Sequence, residues 1–79
     1  SEMCIRDSHK TLLQEFVQRD GDKHIVYSLI SESGPDHAKT FMMEVSIDGI
    51  TYEAGTGKSK KIAEQHAAQL TLERLMAAI

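Results

Sequence analysis

Lys58, Lys60 and Lys61 form a cluster of cations where a Gly55-Thr56-Gly57 stretch gives way to a helical pattern. The first turn of a helix is the positive end of its dipole, so lysines placed there lose stability unless something negative arrives. Phosphates answer that need, because the free amides of the turn and the lysine ammonium groups then point at the same anions. Lys39 adds to the same region, so that four of the nine Lys and Arg residues fall between positions 39 and 61. The pattern predicts a polyanion site. The plainer alternative is a solvated, charged helix start.

Gly57-Lys58-Ser59 also invites comparison with a nucleotide-binding phosphate loop. That loop requires a glycine five positions before its second glycine, and Tyr52 occupies the position. A parallel βαβ setting is missing as well, because the helix that follows is the last element. The remaining reactive residue types do not assemble into a site. His9, His24, His37 and His66 lack metal-ligand spacing, and Cys4 is the single cysteine. Glu15, Glu44, Glu64 and Glu73 are scattered, whereas a magnesium-dependent nuclease needs converging carboxylates. No Ser-His-Asp or Cys-His arrangement is supported. His37 stands apart only because Pro35 and Asp36 put it in a turn, from which a side chain can reach outward.

These residues must be positioned by a short series of elements. A helix is expected from about His9 to Gln18, with Asp7 or Ser8 as its N-cap. Leu12, Leu13, Phe16 and Val17 make its apolar stripe. Thr11, Gln14, Glu15 and Gln18 make a separate polar face. Asp20-Gly21-Asp22 ends it. Strands are expected at Ile25 to Ser31, Thr40 to Ile47 and Ile50 to Ala54. In the second, Phe41, Met43, Val45 and Ile47 alternate against Met42, Glu44 and Ser46. Val26-Tyr27-Ser28-Leu29-Ile30 does not alternate, which leaves the inward side of the first strand undecided. Ser33-Gly34-Pro35-Asp36-His37 is a turn, and Asp48-Gly49 is a two-residue hairpin signal. Gly55-Thr56-Gly57 should break the last strand. A helix from about Ser59 to Met76 buries Ala63, Ala67, Ala68, Thr71, Leu72 and Leu75. The result is an α+β fold of order α-β-β-β-α: a three-stranded antiparallel sheet with two helices packed on one face.

Size and composition fit one such unit. The chain has 79 residues, 41% of them hydrophobic, and a formal net charge of −3. A chain this short supports one small core, and its apolar content exceeds that of a disordered tail. A lone cysteine excludes a disulfide scaffold. No apolar run approaches the ~18 residues that cross a bilayer, and no leader pattern is present, so a cytoplasmic protein is expected. Residues 1–8 are expected to form a disordered or artefactual segment ahead of a domain at 9–79. Met3-Cys4-Ile5-Arg6-Asp7-Ser8 reads like the translation of a sequencing adapter.

Three separated motifs carry a resemblance: His9-Lys10-Thr11-Leu12-Leu13-Gln14-Glu15, then Ser33-Gly34-Pro35-Asp36-His37-Ala38-Lys39-Thr40-Phe41, then Gly55-Thr56-Gly57-Lys58-Ser59-Lys60-Lys61-Ile62-Ala63-Glu64-Gln65 followed by Ala67-Ala68. In that order they resemble the double-stranded-RNA-binding domain, most closely the version at the C-terminus of bacterial ribonuclease III. The resemblance implies the same α-β-β-β-α fold and three RNA contacts. Thr11, Gln14 and Glu15 of the first helix would meet a minor groove. Pro35 and His37 would enter the next one. Lys58, Ser59, Lys60 and Lys61 would hold phosphates across the major groove between. Glu15 and Glu64 are expected to face solvent or RNA.

It implies further that the chain is a monomeric binder of double-stranded RNA and not itself an enzyme. It would need no cofactor, magnesium being confined to the catalytic domain of a parent ribonuclease III, and it would have no membrane partner. A protein-interaction or dimerisation module of the same fold, with little RNA binding, is the alternative.

Overall fold

The computed structural model describes residues 2–19 and 21–78, with residues 2–8 described by backbone alone. The order is helix α1 (Glu2–Gln18), strand β1 (Ile25–Ser33), a 3-10 turn (Asp36–Ala38), strands β2 (Thr40–Ile47) and β3 (Ile50–Gly57), and helix α2 (Lys60–Ala77). The strands form one antiparallel sheet in the order β1-β2-β3. Both helices cover one face of it, as the expected architecture requires.

The core sits between that face and the helices. Leu13 and Val17 from α1, Val45 and Ile47 from β2, and Ala67 and Ala68 from α2 are buried together, with Ile25, Tyr27, Tyr52, Leu72 and Leu75 packed around them. Met43 is buried too, so the alternation read along β2 holds. The alanines of α2 have no bulk to hold the helix off, and its backbone lies close on β3. The structure also settles β1. Leu29 pairs with Met43 and Ser31 with Met42, which leaves Ile30 as an extra residue in a bulge. A bulge resets the two-residue period. Ile25 and Tyr27 therefore turn inward, and Ile30 is left exposed.

Several expected boundaries change, and β1 runs on to Ser33. Helix α1 begins at Glu2, so Asp7 and Ser8 lie inside it and do not cap its start. No glycine or proline interrupts 2–8, and extending an existing helix adds one bond per residue without a new nucleus. Residue 1 of the segment expected to be disordered is outside the described residues, as is Asp20 of the expected loop. Leu12, assigned to the apolar stripe, is 47% exposed because it lies at the edge of the buried arc. Strand β3 runs on through Gly55, Thr56 and Gly57, which pair with Met43, Met42 and Phe41. Those glycines do not break the strand. They admit the helix: a Cβ on Gly55 would collide with the Ala67 backbone nitrogen and lie 2.6 Å from the His66 carbonyl carbon.

Candidate nucleic-acid interface

The first polar region is the exposed side of α1. Thr11, Gln14, Glu15 and Gln18 are all exposed there, as their helical spacing predicts. They do not share one environment. Gln14 and Gln18 border a polar concavity with Lys23 and His24, whereas Glu15 borders an apolar groove with Leu12, Phe16 and Met76.

The second region is the connection between β1 and β2. Gly34 has φ +95°, and a Cβ on it would lie 2.6 Å from the Ala38 carbonyl oxygen, so only glycine can start this turn. Pro35 follows with φ −71°, and its carbonyl accepts from the Ala38 N–H at 2.9 Å. That single 3-10 turn holds the exposed His37 outward. Lys39 lies close by but is engaged: its ammonium is 3.0 Å from Glu32 Oε1 and 4.0 Å from Asp36 Oδ1. Lys39 lines the same concavity as Lys58, but its charge is offset by these carboxylates.

The third region is the start of α2. Ser59 precedes the helix as its N-cap, and its Oγ accepts from the Ile62 N–H at 3.2 Å. The expectation of a helix from Ser59 is corrected by one residue, and the sequence reading missed this capping role. The Ser-x-x spacing before a helical run was the signal available. No acidic residue lies in the first turn of α2. Lys58, Lys60 and Lys61 are exposed around it. The dipole and the lysines thus act in the same direction, with no carboxylate in the turn to oppose them.

The tertiary structure brings the second and third regions together. His37, Thr40 and Phe41 line one concavity with Lys58. It ties the first region to the third through α1 and α2. Lys10 Nζ is 2.7 Å from Glu64 Oε1, and the Lys10 N–H donates to Gln65 Oε1 at 3.2 Å. Glu64 is thus turned toward α1, against the expectation that it faces solvent or RNA. The Lys10 ammonium also lies 4.8 Å from the centre of the Tyr27 ring. Burial, and after it the Glu64 carboxylate, push the Tyr27 phenol up to about 12. At the other side of α2, His66 Nδ1 accepts from the Thr56 N–H at 3.2 Å. Among the described residues no three His, Cys, Asp or Glu side chains converge on a point that could hold a metal ion.

Comparison with known proteins bears on this arrangement. The family described as double-stranded RNA binding motif matches residues 9–75. Ribonuclease 3 of Streptococcus thermophilus is 54% identical over 67 residues, covering 85% of this chain and 29% of that protein. Ribonuclease 3 of Streptococcus gordonii is 52% identical over 66 residues, covering 84% and 28%. Ribonuclease 3 of Brucella canis is 48% identical over 71 residues, covering 90% and 29%. The chain therefore spans less than a third of the length of these curated relatives.

Proposed function

The chain belongs to the double-stranded RNA binding motif family, and on that premise we propose that it is the RNA-holding module of a ribonuclease III, gripping duplex RNA by shape while another part of the parent protein cuts. The observation that carries this reading is the linkage of three polar regions across one small fold: α1 bonded to α2 through Lys10, Glu64 and Gln65, and the β1–β2 turn sharing a concavity with Lys58.

An A-form duplex hides its base edges in a deep major groove and displays 2′-hydroxyls in a shallow minor groove. Short polar side chains suit the hydroxyls. Thr11, Gln14 and Glu15 would meet one minor groove, with the Glu15 carboxylate accepting from a hydroxyl. Pro35 and His37 would meet the next. Lys58, Lys60 and Lys61 would take phosphates from the strands between, on a turn whose dipole favours anions. Ser59 supports them by fixing where the helix begins. A domain of this kind spans about 16 base pairs and reads shape more than sequence.

Binding of this sort is a matter of hydrogen bonds and charge and calls for no cofactor; magnesium would serve the cutting step in the parent enzyme. We place that enzyme in the cytoplasm and the isolated domain as a monomer. Among the described residues no helix is long and apolar enough to cross a membrane.

The test is binding to ~20-base-pair RNA, and to DNA of matching sequence, across a salt series. Wild type should prefer RNA. Each phosphate contact removed should flatten the slope of log affinity against log salt by roughly 0.9, the B-DNA value. The Lys58/Lys60/Lys61 triple alanine variant should lose most of its affinity for every duplex sequence alike. Unchanged binding in that variant would refute the lysine assignment. Equal binding of wild type to RNA and DNA, or to neither, would replace the reading with a protein-interaction module.

A further inference from the structure

A polar concavity lies where the second half of α1 passes the start of β1. Lys10, Gln14, Gln18, Lys23, His24 and Tyr27 line most of it. Gln14 belongs to the exposed face of α1, and Gln18 continues that face one turn further on. The backbone presenting Lys23 is anchored on its C-terminal side. The His24 N–H donates to Asp48 Oδ1 at 3.0 Å, and the His24 carbonyl accepts from the Asp48 N–H at 3.0 Å. The β2–β3 turn thereby fixes where β1 begins.

The two lysines of this concavity are in opposite electrostatic states. The Lys10 ammonium is offset by Glu64 at 2.7 Å. Lys23 has no carboxylate partner among the described residues. Three further cations of the domain are engaged: Lys39 with Glu32, Arg74 with Glu53 at 3.0 Å, and Arg19 over the Phe16 ring. Among the described residues Lys23 is thus an ammonium with no carboxylate partner, beside two primary amides.

We infer that this concavity is a further RNA contact, in which Lys23 takes a backbone phosphate and Gln18 extends the ribose contacts of Gln14 along the same strand. The inference rests on the proposed function and widens its footprint beyond the three regions above. A primary amide both donates and accepts, as a ribose hydroxyl does. An ammonium pairs with phosphate as a point charge and needs no fixed fork geometry. Strand phosphates flank the hydroxyls of a minor groove, so a cation next to Gln14 and Gln18 is where such a phosphate would meet the protein.

The experiment is a salt series with ~20-base-pair RNA on wild type, Lys23→Ala, Lys23→Arg and Gln18→Ala. Lys23→Ala should bind about threefold more weakly and flatten the salt slope by roughly 0.7–0.9, the share of one phosphate. Lys23→Arg should restore the slope, and Gln18→Ala should weaken binding at an unchanged slope. Wild-type affinity and slope in Lys23→Ala would overturn the phosphate contact, as would a loss of affinity with the slope intact. Wild-type affinity in Gln18→Ala would overturn the ribose contact. If wild type itself fails to bind RNA, the proposed function falls and takes this inference with it. If wild type binds and the Lys58/Lys60/Lys61 variant does not, an unchanged Lys23→Ala removes this inference alone.

Discussion

Tyr27 lies under the Lys10 ammonium and near the Glu64 carboxylate, with part of its ring in the core. Half-burial of the ring penalises the charged form, and ionisation would also place a second negative charge beside Glu64, so its phenol is pushed up to about 12. The unfolded chain would ionise it near the ordinary value of about 10. A group raised in the folded state contributes stability that is intact below the unfolded value and disappears as pH rises through the folded one. Stability should therefore fall between about pH 10 and about pH 12 through Tyr27. In a Tyr52→Phe background the tyrosinate absorbance reports Tyr27 alone. Its midpoint should lie near 12, and Glu64→Gln should lower it. A midpoint near 10, insensitive to Glu64, would contradict this account.

Among the elements, α2 does the most to position the site, and its two contacts depend on different physics. Against β3 it relies on the absence of a side chain at Gly55, where a Cβ would run into the Ala67 and His66 backbone. Backbone atoms cannot step aside as a flexible side chain can. Gly55→Ala should cost about 1–3 kcal/mol, the usual penalty of overpacking, in urea unfolding. Against α1 it adds charge and hydrogen bonds to the apolar core that Leu13 and Val17 share with Ala67 and Ala68, Glu64 and Gln65 holding Lys10. That pair is only partly shielded from water, so Glu64→Gln should cost no more than about 1 kcal/mol. Its clearer effect should be on function. With α1 less firmly phased to α2, RNA affinity should fall more than stability does. A Gly55→Ala protein as stable as wild type would show that α2 and β3 are less closely packed than described.

The whole molecule is acidic, with a formal charge of −3, yet its surface is sorted. Carboxylates sit against Lys10, Lys39 and Arg74, which serve the fold, and leave Lys23, Lys58 and Lys60 without such partners among the described residues. Net charge therefore understates the attraction to phosphate and predicts a binder whose affinity falls steeply with salt. The polar side chains proposed to meet ribose hydroxyls are distributed differently, on α1 and on the β1–β2 turn. Gln14→Ala and His37→Ala should each narrow the preference for RNA over DNA while leaving the salt slope intact. Lysine variants should do the reverse. Parallel titrations of RNA and matching DNA separate the two classes, and a changed slope in His37→Ala would remove it from the hydroxyl-reading group.

Local pattern was enough for much of this. The alternation of Phe41, Met43, Val45 and Ile47, the Asp48-Gly49 turn and the alanine-rich face of α2 are short-range signals, and they fixed the element order and the buried side of the sheet. The lysine cluster was visible for the same reason, because charge at a helix start is a property of neighbours in sequence. What tertiary structure alone decided involves partners far apart along the chain. Glycines at 55 and 57 are strand breakers by local propensity, and in the fold they stay in β3 and make room for α2. The bulge at Ile30 depends on the register of a second strand. Lys39 belongs to the basic region by its place in the sequence, yet Glu32 lies against it, as Glu64 does against Lys10, whereas Lys23 has no carboxylate partner among the described residues. A sequence states how many charges a protein carries, but compensation depends on distances of a few ångströms between residues that only folding brings together.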